Sequence, residues 1–146
     1  MIERVSNNNL DDVLPLIKFY QEFYKVADIC DVRNKEFFSQ FFNGNSAGCQ
    51  FLYRDGFEVV GFATVYFSFT STITAKVAIL NDLYTVPTMR GKGIGKKLVE
   101  HCREFATKNN AARLQWVTAP NNHPAQKLYD SLNATKSEWL FYTYNT

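Results

Sequence analysis

Met89 to Lys97 reads MRGKGIGKK and holds the residue types best suited to gripping an anion. Gly91, Gly93 and Gly95 fall at every second position, with Arg90, Lys92, Lys96 and Lys97 around them. Glycine backbone can turn consecutive N–H groups toward one point. A helix starting near Ile94 adds the positive end of its dipole. Arg90, Lys92 and Lys96 can meet the same anion, so the stretch is suited to phosphates. Two known phosphate loops fail on spacing. The P-loop needs G-x-x-x-x-G-K-[ST], whereas Gly91 to Gly95 is one residue short and Lys97 stands where a magnesium-binding hydroxyl belongs. A dinucleotide fold needs G-x-G-x-x-G and an acid closing the next strand; GKGIG has another spacing and ARLQWVT has no acid. Phosphates that are held rather than cleaved need no magnesium ligand. The competing reading is a glycine-rich turn on a solvated basic surface.

A second group lies in FYQEFYKVADICD, residues 19–31. Phe19, Tyr20, Phe23 and Tyr24 alternate with Glu22, Asp28 and Asp31. Rings beside carboxylates suit a cationic amine through cation–π and ion-pair contacts, although half of these rings must face a core at helical spacing. Trp116 either lines an acceptor pocket or is a buried strand tryptophan. His101 and His123 are isolated, and no metal site is expected. Cys30, Cys49 and Cys102 are far apart, without redox or ligand spacing, and read as reduced cysteines of a cytosolic protein.

These residues need elements to position them. Met1 to Val5 reads as an edge strand and SNNN as a set of N-cap candidates. Val13, Leu16, Ile17, Tyr20 and Tyr24 recur at helical spacing, with Pro15 early enough to be tolerated. Residues 34–44 read as a second short helix. CQFLYR (49–54) and EVVGFATVYFSF (58–69) flank Asp55-Gly56, a strong hairpin signal. Residues 75–86 make a long strand that Pro87 ends. Ile94, Leu98, Cys102, Phe105 and Ala106 share one face of a helix to about residue 109. ARLQWVT (112–118) reads as a buried strand, PNNHPAQKLYDSL as a turn and helix, and EWLFYTY (138–144) as a closing strand. The expected order is β-α-α-β-β-β-α-β-α-β, a mixed α/β sheet in one domain over residues 1–146. Sites in such sheets favour the carboxyl ends of strands that lead into helices, here Val86 and Thr118.

The chain of 146 residues fits one core. Its net charge of +2 is too small to point to nucleic acid. Thirteen Phe, eight Tyr and two Trp point to a well-filled core or a ring-walled pocket. No signal-peptide layout or membrane-spanning run is expected.

Arg90-Gly91-Lys92-Gly93-Ile94-Gly95 resembles the R/Q-x-x-G-x-G/A signature of the GCN5-related N-acetyltransferases. VGFATVYFSF, LNDLYTVPTMRGKGIGKKLVEHC and WVTAPNNHPAQKLYDSL follow in that family's order and spacing. The resemblance is strong over residues 58–145 and looser over the N-terminal helix. It is nearest to the small-amine branch, including diamine and histone/polyamine-type enzymes. It implies acetyl-CoA as acyl donor and a small amine as acceptor. It also implies that Leu83, Tyr84 and Thr85 offer backbone groups to the pantetheine arm and that Arg90 to Lys96 hold the pyrophosphate. Asn122 would then contact the cofactor, and Tyr129 would be the general acid at the thioester sulfur. The diamine enzymes carry an acid just before the position of Asp82, where this chain has Asn81.

Acetyl transfer needs a neutral amine, and a lysine-like amine is only ~0.04% neutral at pH 7. A base must take the proton: Asp82, Glu22 or a water chain. Asp82 is favoured because its strand leads to the glycine loop. In a regular strand Asn81 and Asp82 face opposite ways. A backbone N–H near Leu83 to Thr85 can serve the oxyanion if the strand bulges. Phe23, Tyr24, Asn81 and Trp116 are the acceptor-side candidates. The reading is a cytoplasmic small-amine N-acetyltransferase. A homodimer follows from the resemblance and from an aromatic final strand whose edge needs covering. A protein acetyltransferase acting on N-termini or lysines, a non-catalytic acyl-CoA-binding module and an interaction-only protein are the alternatives.

Overall fold

The computed structural model describes residues 1–42 and 44–146. Five strands form one sheet in sequence order. β1 (Ile2–Arg4), β2 (Gly48–Asp55), β3 (Glu58–Thr70) and β4 (Ala75–Thr85) are antiparallel neighbours, and β5 (Leu114–Gln115) lies parallel to β4. Four α-helices and a 3-10 turn at Pro87–Met89 occur among the described residues: α1 (Leu10–Phe23), α2 (Asp31–Ser39), α3 (Ile94–Lys108) and α4 (His123–Asp130).

The middle strands are apolar almost without a break, which requires cover on both faces. On one face, Leu10, Val13, Leu16 and Ile17 of α1 join Phe38 and Phe41 over Leu52, Phe62 and Tyr84. On the other, Ile94, Leu98, Val99, Cys102 and Ala106 of α3 cover Cys49, Phe51, Ala63, Val65 and Ala78. Gly61 allows this second layer to close, because a Cβ there would sit 2.9 Å from the Tyr84 carbonyl and 3.2 Å from Ile94.

Several boundaries differ from the sequence reading. Asn9 stands at the N-cap of α1 but turns its side chain back: its Oδ1 accepts from the Ser6 N–H at 2.8 Å and its Nδ2 donates to the Arg4 carbonyl at 3.2 Å. The hairpin turns on Gly56 and Phe57, one residue later than expected, since Asp55 still pairs with Glu58. The second helix starts at Asp31 and ends at Ser39; Asn43, inside the expected span 34–44, lies outside the described residues.

Two expected strands are corrected. The strand over 112–118 is formed only at Leu114–Gln115. The closing strand over 138–144 is absent: the segment is unpaired and exposed. Strand-forming side chains make a strand only where a neighbour offers a ladder, and the outer edge of β5 has no neighbour among the described residues.

Candidate active site

The site begins with a fault in the β3–β4 ladder. Thr64 pairs with Asp82 and Val65 with Leu80, so Asn81 has no partner. This is a β-bulge. In a regular strand Leu80 and Asp82 would share a face. Here Leu80 joins the α3 side of the core, while Asp82 sits beside Tyr20 and Thr64 on the α1 side. The bulge also removes the expected opposition of Asn81 and Asp82: Asn81 Nδ2 donates to Asp82 Oδ1 at 3.0 Å.

Asp82 is 7% exposed. Burial raises its carboxyl pKa above the usual range, and hydrogen bonds from Thr64, Tyr20 and Asn81 oppose the rise. Gln50 Nε2 donates to Thr64 Oγ1 at 3.0 Å, so the Thr64 proton is left for Asp82. The Gln50 Oε1 is buried without a hydrogen-bond partner among the described residues. The Tyr20 hydroxyl also lies 3.4 Å from the Asn81 carbonyl, across the bulge.

A chain of rings runs outward from Tyr20. Tyr20 meets Tyr24 at 4.9 Å, and Tyr24 meets Phe23 at 5.2 Å. Trp116, just past β5, lies 5.2 Å from Tyr129 of α4. Tyr129 is pushed up to about 12, first by burial and then by the nearby Tyr24 hydroxyl. The end of α1 thus faces α4, and Phe23, Tyr24, Asn122 and Pro124 line a cleft of ≈ 480 Å³. Glu22 is exposed on α1. Asp28 is occupied by Arg33 at 3.1 Å.

The glycine stretch follows β4 and opens α3. Gly91 and Gly93 hold φ of 77° and 79°, the left-handed region, with open space beside them. Gly93 is the N-cap of α3, and no side chain caps the first turn, so its N–H groups remain available to an anion. Arg90 Nε donates to the Thr85 carbonyl at 3.0 Å, Lys92 Nζ rests 3.2 Å from Met89 Sδ, and Lys96 pairs loosely with Glu100 at 3.9 Å. Gly95 serves packing instead. A Cβ there would meet Leu128 Cδ2 at 3.0 Å, so its absence lets α4 approach α3. Because β5 pairs with β4 at residues 78 and 79 alone, the edge of β4 from Leu80 to Thr85 is open toward β5. Tyr84 sends its ring into the α1-side core and Leu83 packs toward the α3 side. Asn122 caps α4, accepting from the Ala125 N–H at 3.3 Å.

The model of the Acetyltransferase (GNAT) family matches residues 13–133. This chain is a GNAT acetyltransferase. The uncharacterized N-acetyltransferase YhfO of Bacillus subtilis (strain 168) is 30% identical over 129 residues, 88% of this chain and 85% of that protein. The thialysine N-epsilon-acetyltransferase of Mus musculus is 34% identical over 93 residues, 61% of this chain and 54% of that protein. A crystal structure of a probable acetyltransferase superposes with a TM-score of 0.86 at 26% identity, covering 100% of this chain and 97% of its own.

The acyl donor of a GNAT enzyme is acetyl-CoA. Its pyrophosphate, arm and thioester call for an anion cradle, free backbone groups and a sulfur-side donor. The start of α3 carries no side-chain cap, and the edge of β4 from Leu80 to Thr85 is unpaired toward β5. Sequence reasoning assigned no role to Thr64 or Gln50. Their one signal is polarity: each stands on a strand position that should be apolar, and both hydroxyl and amide turn out to be buried. Among the described residues no cluster of metal-ligating side chains occurs, and no helix is long and apolar enough to cross a membrane.

Proposed function

We propose that residues 1–146 form a single acetyltransferase domain that moves the acetyl group of acetyl-CoA to the primary amine of a small molecule. The observation that carries this reading is the buried Asp82 carboxylate at the bulge, bonded by Tyr20, which in turn neighbours Tyr24 and Tyr129. It offers a cationic amine a base, aromatic faces and a closed end. Arg90, Lys92 and Lys96, with the N–H groups of Gly91 to Gly95, hold the pyrophosphate. Leu83, Tyr84 and Thr85 present backbone groups to the pantetheine arm, and Asn122 borders the cofactor from α4. Phe23, Tyr24, Asn81 and Trp116 line the acceptor side.

Asp82 takes a proton from the ammonium, directly or through water, and its raised pKa makes it a stronger base than an exposed carboxylate. The neutral amine attacks the thioester carbon. The C–N bond forms, the negative charge on oxygen is met by a backbone N–H on the open edge of β4, the C–S bond then breaks to release the thiolate, and the extra proton on the amide-forming nitrogen passes to water. Tyr129 stands at the leaving sulfur. With its hydroxyl at about 12 and an alkyl thiol near 8.5, full transfer from Tyr129 to thiolate is uphill by roughly 5 kcal/mol. Tyr129 therefore serves as a hydrogen-bond donor to the developing thiolate and keeps its proton.

Tyr129→Phe is expected to lower kcat by ~10²–10⁴ with little change in the KM for acetyl-CoA, in steady-state assays of thiol release. An unchanged kcat would remove Tyr129 from the mechanism. The thialysine enzyme, by its name an enzyme for a small amine, supports the acceptor class. We further propose a cytoplasmic homodimer, supported by the exposed aromatic tail.

A further inference from the structure

Gln50 is the residue of the α1-side core that packing does not explain. It falls on the same face of β2 as Leu52, yet it carries a polar amide into that layer at 2% exposure. Its Oε1 is buried with no hydrogen-bond partner among the described residues. An orphaned acceptor of this kind costs free energy that an apolar side chain of similar shape does not incur. Packing alone therefore favours leucine at this position. What Gln50 has and leucine lacks is Nε2, which donates to Thr64 Oγ1 at 3.0 Å.

Gln50, Thr64 and Asp82 form a row across three strands. Gln50 of β2 is paired with Thr64 of β3, and Thr64 with Asp82 of β4. The bulge makes this row: in an unbroken register Thr64 would stand opposite Asn81, because Val65 pairs with Leu80. Thr64 is fully buried, and Asp82 nearly so. A threonine hydroxyl has one proton and two lone pairs. With a lone pair taken by Gln50 Nε2, the proton is directed to the Asp82 carboxylate, where its bond opposes the effect of burial. Reversing the Gln50 amide would draw the Thr64 proton to Oε1 and turn Thr64 lone pairs toward a negative charge. The direction of the amide and the charge on Asp82 thus support each other. The titratable groups facing Asp82 are Tyr20 of α1 and Tyr66 of β3, with Tyr24 and Tyr129 beside Tyr20. Among the described residues no charged side chain contributes to the shift of Asp82, so hydrogen bonds alone offset its burial.

We propose that Gln50 is a positioning residue for the reaction: by donating to Thr64 Oγ1 it fixes the Thr64 proton on the Asp82 carboxylate and holds that group ready to accept a proton from the acceptor amine. Gln50 touches neither substrate and acts only through the Thr64 hydroxyl. This inference deepens the proposed function and rests on Asp82 as the base.

The test follows the carbon-13 signal of the Asp82 carboxyl against pH in the full chain, assigned with Asp82→Asn, beside the pH profile of kcat/KM. Gln50→Leu should move the Asp82 midpoint up by roughly 0.5–1 pH unit, and Thr64→Val by roughly 1–2, as expected for loss of a neutral hydrogen bond and of one to a charged group. The acid limb of kcat/KM should move with the midpoint in each. Thr64→Ser keeps the hydroxyl and should restore the wild-type midpoint. In the Thr64→Val background, Gln50→Leu should move nothing further. Gln50→Met serves in place of Gln50→Leu should that variant not fold. An unmoved midpoint in the Gln50 variant, or an equal shift in both backgrounds, would overturn the inference and leave Asp82 as the base. A midpoint that moves while the acid limb stays in place would overturn Asp82 as the base, and with it the part of Gln50 in the reaction.

Discussion

Asp82 lies buried beside Tyr20 and Thr64 because a single skipped residue, Asn81, moved it across the sheet. Its carboxyl is held above the ordinary range by burial. The native state therefore binds that proton more tightly than the unfolded chain, whose value is about 3.9. Stability from this group is present below the unfolded value and is lost as pH rises through the native one. Asp82→Asn removes the titration. The variant should gain in Tm relative to the wild type as pH is raised from 4 to 8, by a few °C, while kcat falls by ~10–10³. A Tm difference independent of pH would show that Asp82 is not penalised by burial. Tyr20 and Tyr66 are pushed up by burial and by the same carboxylate, so the hydroxyls around Asp82 keep their protons at working pH.

At the scale of elements, the glycines of one loop divide into two roles. Gly93 has positive φ with open space, whereas Gly95 has ordinary backbone and a crowded neighbour. Gly93→Ala forces an L side chain into the left-handed region at roughly 1–2 kcal/mol. It should raise the KM for acetyl-CoA several-fold, with kcat less affected. Gly95→Ala presses on Leu128, the residue before Tyr129, and should lower kcat by up to ~10-fold with little change in that KM. Steady-state kinetics of the two variants separate these roles, and identical profiles would contradict the division. The loop and both flanking elements were legible in the sequence because glycine spacing, Pro87 and the apolar stripe from Ile94 are local signals. The bulge was not, since LNDLY carries no glycine or proline to mark it. Nor was the bond between Tyr20 and Asp82, which joins residues far apart in sequence through packing alone. The periodicity of EWLFYTY marks a strand former, but no periodicity shows whether an edge is available to receive it.

For the whole molecule, two layers of helix clamp one sheet, and the strands part between β4 and β5 where the glycine loop, Tyr129 and the ring cluster converge. That convergence is where the proposed chemistry would take place. Family membership fixes the donor, while the proposed acceptor class rests on the buried Asp82 and the rings beside Tyr20. The most direct test is release of CoA thiol from acetyl-CoA by the wild-type protein, across diamines and amino acids on one side and peptides on the other. Turnover on a free small amine, rising with pH as Asp82 and the amine lose their protons, is the predicted result. Turnover confined to peptides, or none with any amine despite bound acetyl-CoA, would contradict the small-amine assignment.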